Sequence, residues 1–138
     1  MTTLPSAGSL SISTVAGDPV ARVVADATVA DVANAMIADN VGAIVIGDDD
    51  RPAALVSERD VVRVVATGKD PNTVPALDVA STKLVWCDSD ATVDQVANQM
   101  MEHYIRHVLV EHDGIPAGIV SARDLLGVYC SDAVLDSD

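Results

Sequence analysis

Two short runs stand out among the residues equipped for chemistry. Ser57-Glu58-Arg59-Asp60 and Ser121-Ala122-Arg123-Asp124 each set a hydroxyl three residues ahead of a carboxylate, with a guanidinium between them. Each run follows a β-rich apolar stretch and opens a helical pattern, so each sits at a strand-to-helix junction. There the first N–H groups of the helix lack helical partners and carry partial positive charge, which suits a phosphate. Ser57 or Ser121 adds a hydroxyl donor, and Asp60 or Asp124 can accept from a ribose diol. The same spacing also describes a plain helix cap with an acid in the first turn, which needs no ligand. Arg59 and Arg123 fall on those first turns, where ion pairs with an acidic surface are the blander use.

Other candidates carry less. Arg106 and His107 precede a strand of the second half; arginine offers a bidentate fork and histidine a charge tunable near neutral pH. The positions 64 residues earlier are Gly42 and Ala43, so any anion grip here is lopsided. His103, His107 and His112, with Glu102 and Glu111, span a helix end, a strand and a turn, and fit no zinc spacing. No metal site is expected. Trp86 reads as a half-buried strand residue that also suits an adenine face. Cys87 and Cys130 show no CxxC spacing, and the sequence leaves open whether they pair. Neither a Gly-x-Ser-x-Gly elbow nor a Walker loop is present, and Asp48-Asp49-Asp50 reads as turn chemistry. No enzymatic activity is expected.

The background charge limits what such residues can hold. Eight Lys and Arg stand against 21 Asp and Glu, a formal charge of −13. That field repels nucleic acid, and an anionic ligand must be held by a few local groups, with an affinity that depends on salt. At 138 residues and 49% hydrophobic composition, the chain can bury a core. With Phe absent, that core must be Val, Ala, Ile, Leu and Met. The N-terminal residues lack the basic and apolar regions of a signal peptide, and no stretch approaches the ~20 apolar residues of a membrane span. A cytoplasmic protein is expected.

The elements that position the two junctions come from an internal repeat. A shift of 64 residues lays Thr28-Val29 on Thr92-Val93, Val32-Ala33-Asn34 on Val96-Ala97-Asn98, and Met36 on Met100. The same register lays Pro52-Ala53 on Pro116-Ala117, Val56-Ser57 on Val120-Ser121, and Arg59-Asp60 on Arg123-Asp124. In each copy a threonine N-cap leads an amphipathic helix: Val29, Val32, Ala33, Met36 and Ile37, then Val93, Val96, Ala97, Met100 and Met101. Thr92 with Gln95 forms a capping box. Two short apolar runs around a polar turn then predict a hairpin, over 43–46 and 54–56, and over 108–110 and 118–120. Further strands are expected over 20–24 and 83–87. Gly68 is placed to end the helix that Ser57 starts, with Pro71 beyond.

The order is therefore β-α-β-β-α, twice. We expect an extension at 1–11, a first unit at 12–68, a linker at 69–75, a second unit at 76–131 and an acidic tail at 132–138. A single unit of ~55 residues is marginal alone. The expected solution is a mixed α/β fold, with two units packed sheet to sheet in pseudo-two-fold symmetry.

This order, with Gly118-Ile119-Val120-Ser121-Ala122-Arg123-Asp124-Leu125-Leu126 closing one hairpin and Ala54–Val62 closing the other, resembles the cystathionine-β-synthase-type (CBS) module. The turn at 47–51 and the linker Asp70-Pro71-Asn72-Thr73 resemble small standalone CBS pairs of actinobacteria. The resemblance covers about 12–131 and implies a regulatory binding protein. Its ligand would be AMP, ADP, ATP or S-adenosylmethionine, held in the clefts between units, with no required cofactor. It implies a homodimer, a disc of four modules, acting on an unknown protein partner. It also implies phosphate contacts from Ser57 and Ser121, ribose contacts from Asp60 and Asp124, and phosphate contacts from Arg106 and His107. The chain departs from the family where Val45 and Leu109 replace a usual strand proline. It departs again where Ala54 stands for the glycine kept as Gly118, adding a methyl that crowds a ligand's approach to the backbone. A ligand-free interaction scaffold with vestigial clefts is the alternative.

Overall fold

The computed structural model describes residues 7–15, 20–47 and 52–136. The expected polar turn at Asp48-Asp49-Asp50-Arg51 lies outside them. The chain forms two compact units, one of Val20–Leu84 and the other of Met1–Pro19 with Val85–Asp138. We call these the first and second units.

The first unit contains β1 (Arg22–Val23), α1 (Val29–Asp39), β2 (Ala43–Ile46), β3 (Ala54–Ser57), α2 (Glu58–Ala66) and the short α3 (Ala76–Val79). Its sheet has the order β1-β2-β3, with β1 parallel and β3 antiparallel to β2. Thr28 caps α1 in a full capping box with Asp31. Val29, Val32 and Met36 are buried, but Ile37 is 81% exposed, so the buried stripe is narrower than the apolar pattern. The helix ends at Asn40 with φ 52°, a left-handed conformation that Asn tolerates. The end of α2 agrees with its sequence. Gly68 adopts φ 76°, its N–H bonds Val65 O and the Lys69 N–H bonds Val64 O, a Schellman closure.

The second unit repeats the plan with β4 (Trp86–Asp88), α4 (Val93–His103), β5 (His107–His112), β6 (Ile115–Ser121) and α5 (Ala122–Asp136). The sheet order is β4-β5-β6, with the same parallel and antiparallel pairings. The expected Thr92–Gln95 capping box is present. Its hairpin is longer and closes through Asp113 and Gly114, both at positive φ, as a two-residue turn matched to strand twist requires. Met101, the counterpart of Ile37, is likewise 75% exposed. At the helix end Tyr104 takes the left-handed position that Asn40 fills in the other copy.

Burial follows the pattern that a β-rich, phenylalanine-free core requires. Every residue of β2 is buried, as are Val108, Leu109 and Val110 of β5, so the central strand of each sheet is covered on both faces. Val45 N donates to Ala21 O at 3.0 Å and Leu109 N to Val85 O at 2.9 Å, bonds that a proline at either position could not make. The compact units do not coincide with the sequence repeats. Ile12 belongs to the core of the second unit and Ala76 to that of the first, both fully buried. The acidic 132–136 region continues α5.

Candidate functional site

Both Ser-x-x-Asp runs lie at the junctions expected of them. Ser57 ends β3 and caps α2; Ser121 ends β6 and precedes α5. Strand pairing sets Ser57 opposite Ala43 and Ser121 opposite His107. The first N–H of each helix crosses to the neighbouring strand: Glu58 N donates to Gly42 O at 3.0 Å, and Ala122 N donates to Arg106 O at 2.8 Å. The fold thus carries Arg106 and His107 to the corner that holds Ser121, Arg123 and Asp124. The matching corner of the first unit receives Gly42 and Ala43, which bring no charge.

The serine and aspartate of each corner are engaged with one another. Ser57 N donates to Asp60 Oδ2 at 2.9 Å, and Asp60 N donates to Ser57 Oγ at 3.4 Å. Ser57 Oγ also donates to Asp60 Oδ2 at 3.1 Å. In the second unit Ser121 N donates to Asp124 Oδ2 at 2.8 Å, and Asp124 N donates to Ser121 Oγ at 3.0 Å. These are reciprocal capping boxes, which satisfy two helix-start donors each. The first and third N–H groups of each helix therefore already have acceptors. A phosphate at either corner has the second N–H, that of Arg59 or Arg123, and the side chains around it.

The spare carboxylate oxygens differ. Asp60 Oδ1 lies 3.9 Å from the Arg63 guanidinium, a pair that the i,i+3 spacing could have suggested and the sequence reading missed. Asp124 Oδ1 has no protein partner among the described residues and is exposed, as an acceptor for a hydroxyl pair would be. Arg59, Arg106 and Arg123 are exposed and form no ion pair among the described residues, so the simple salt-bridge use expected of Arg59 and Arg123 is not found. Arginine cations of this kind are the local groups that an anion needs against a charge of −13.

The remaining candidates are dispersed. Among the described residues, no group of three or more His, Cys, Asp or Glu side chains converges as metal ligands do. His112 is turned to Ser89, with Oγ 2.8 Å from its Nδ1, and its Nε2 is 3.5 Å from Asp113. Trp86 is half-buried in β4, where its carbonyl accepts from Gln99. Cys87 is buried and Cys130 exposed, and neither is in a disulfide. Burial pushes the Cys87 thiol up to about 11, helped by Asp88 and Glu111. A hydrogen bond to Asp94 pushes Tyr129 up to about 12, with smaller contributions from burial and from the Asp94 charge. Neither group belongs to a corner. No helix among the described residues is long and apolar enough to cross a membrane.

The CBS domain profile matches residues 12–67 and again residues 76–131. The chain belongs to the CBS-domain family. This CBS pair is 36% identical over 88 residues to Hypoxic response protein 1 of Mycobacterium tuberculosis. That match spans 62% of each chain, less than two thirds of the relative's length. Among solved structures, a CBS domain protein from Pyrobaculum aerophilum complexed with AMP is 30% identical, with a TM-score of 0.76. The match covers 88% of this chain and 99% of that one. Hypoxic Response Protein I with two coordinated zinc ions is 31% identical, with a TM-score of 0.69, over 86% and 98% of the two chains. The mixed α/β architecture with two three-stranded sheets is thus that of solved CBS pairs.

Proposed function

We propose that this CBS pair is a regulatory, non-catalytic binding protein for an adenosine-containing ligand: AMP, ADP, ATP or S-adenosylmethionine. The observation that carries the reading is the second corner. There the backbone carries Arg106 beside the start of a long helix that bears Arg123 and Asp124, and one Asp124 carboxylate oxygen has no protein partner among the described residues. Arginines and the free N–H suit a phosphate, and the carboxylate suits a ribose diol. The AMP complex of a 30% identical CBS protein supports the same class of ligand. His107 and Ser121 complete the set in the second unit, and Ser57, Asp60 and Arg59 form the weaker counterpart.

The protein works as a homodimer in this reading. Ile37 and Met101 are repeat-equivalent and largely exposed, as are Val62 and Leu126 at 64% and 63%. Helices that keep apolar residues outward at matching positions in both copies fit a self-complementary interface. A ligand acts by preferring one arrangement of the dimer over another, which shifts its population. The free thiols agree with a reducing, cytoplasmic setting.

Thermal unfolding in the presence of each adenine ligand tests the proposal. Saturation at a hundredfold excess over Kd should raise Tm by roughly 5–10 °C, less at high salt. Arg106→Ala and Asp124→Asn should remove most of that shift, whereas Asp60→Asn should leave most of it. No shift with any adenine ligand, from a protein that is still dimeric by light scattering, would support the scaffold reading. The lean of Asp60 toward Arg63 and the methyl of Ala54 favour that reading for the first corner.

A further inference from the structure

Within the second unit, α4 and α5 are tied together by a contact that the first unit lacks. Tyr129 of α5 donates its hydroxyl to Asp94 Oδ1, in the first turn of α4. The positions 64 residues earlier are Val65 and Ala30, whose side chains cannot hydrogen-bond, and Val65 is 62% exposed. The bond to Asp94 pushes the Tyr129 hydroxyl up to about 12, so at neutral pH it keeps its proton and remains a donor.

The chain ahead of the second unit's helices seats this bond. The 3-10 turn Ala7–Ser9 packs on both α4 and α5. A Cβ on Gly8 would overlap the Asp94 carboxylate, so glycine is a requirement of space there. Leu10 O accepts from Val93 N at 2.9 Å and Ile12 N donates to Ala91 O at 2.7 Å, which fixes the turn against the start of α4. In the first unit the position matching Gly8 is Asn72, whose N–H is turned to Asp70 of its own loop at 3.0 Å.

Along α5 the hydroxyl acts beyond a weak point. Leu125 is buried, and Tyr129, four residues on, lies on the same helix face, so fixing both sets the roll of the helix. Arg123 and Asp124 ride on that roll. Between the two anchors lies Gly127, a residue that weakens a helix interior, and a Cβ there would meet nothing within 4 Å. Loosening that starts at Tyr129 can therefore run through Gly127 to the first turn.

We propose that the Asp94–Tyr129 bond, seated by Gly8, positions α5 so that Arg123 and Asp124 are held ready for the ligand of the second corner. The inference rests on the adenosine-binding reading above. Tyr129 and Asp94 are positioning residues that act through α5, and residues 7–12 enter the binding energetics of a corner to which they do not belong.

Calorimetric titration of the full-length chain with AMP, below the unfolding temperature of every variant, tests this beside hydrogen exchange of peptides from 122–136. Tyr129→Phe should raise Kd roughly 3- to 10-fold, the inverse of the fraction of chains that keep α5 seated. Exchange across 122–136 should quicken in step. Gly127→Ala, added to Tyr129→Phe, should recover part of both, because it strengthens the helix without touching the bond. Should Tyr129→Phe not fold, Gly8→Ala disturbs Asp94 from the other side and should give the same paired response. The positioning role is overturned if Tyr129→Phe binds AMP as the wild type does, or weakens binding with exchange unchanged. It is overturned equally if Gly127→Ala restores the protection and not the affinity. A wild-type chain that binds no adenine ligand would overturn the functional reading and the positioning role together, whereas equal affinities in wild type and Tyr129→Phe would overturn the latter alone.

Discussion

The two strand-to-helix corners share a backbone and differ in their charges, and the contrast separates what a fold needs from what a ligand needs. In both, a serine and an aspartate close a reciprocal cap, and the first helical N–H reaches back to the neighbouring strand. That geometry is structural and is kept in duplicate. Around it, the second corner adds Arg106 and His107 where the first has Gly42 and Ala43, and one Asp124 oxygen has no protein partner among the described residues where Asp60 leans toward Arg63. Duplicated features therefore report the architecture. The features present once mark where binding chemistry would reside. The helix ends show the same division, with Asn40 suited to a left-handed backbone and Tyr104 held there without that advantage.

The comparison can be broken first in the cores. Ile44 and Val108 are equivalent and fully buried. Ile44→Ala should cost about 2–5 kcal/mol by denaturant unfolding. Val108→Ala deletes fewer methyl and methylene groups, at ~0.8 kcal/mol each before any cavity is counted, and should cost less. Equal losses would mean that the copies are not packed equivalently.

A smaller effect tests the caps. Ser57→Ala and Ser121→Ala should each cost about 1 kcal/mol without any ligand present. Ser57→Ala should cost the more, because that hydroxyl also donates to Asp60. If neither substitution changes stability, the serines are not structural caps and their duplication needs a functional cause.

The smallest effect is in pH. The two cysteines occupy different environments, Cys87 buried and Cys130 exposed. Because folding raises the Cys87 thiol from its ordinary 9.0 to about 11, the folded state holds that proton more tightly. Its contribution to stability is complete below about 9 and is lost as pH rises through about 11. Cys87→Ala should flatten that alkaline decline, and Cys130→Ala should not. In the native protein a thiol reagent should modify Cys130 well before Cys87.

Much of this was legible in the residues. Thr28, Thr92 and Gly68 announced helix boundaries because caps and left-handed closures use a few residue types in fixed positions. The gapless repeat announced two copies of one unit, and the lone Arg106-His107 pair announced their inequality. The reach of Arg63 to Asp60 was available from the i,i+3 spacing. By contrast, the outward placement of Ile37 and Met101 was hidden, since periodicity marks an apolar stripe without saying how wide a neighbour covers it.

The amino-acid sequence by itself therefore determined the elements, their duplication and the residue types at each corner. These depend on local propensity, capping and pattern, which act over a few residues. Only the tertiary structure decided which core receives Ile12 and which receives Ala76, and which carboxylate oxygen has no protein partner among the described residues. Ile12 and Ala76 are separated by dozens of residues from much of what surrounds them, and no local signal in the chain selects one hydrophobic seat over its repeated twin. That choice is made when the whole chain packs and its buried N–H and C=O groups must all find partners.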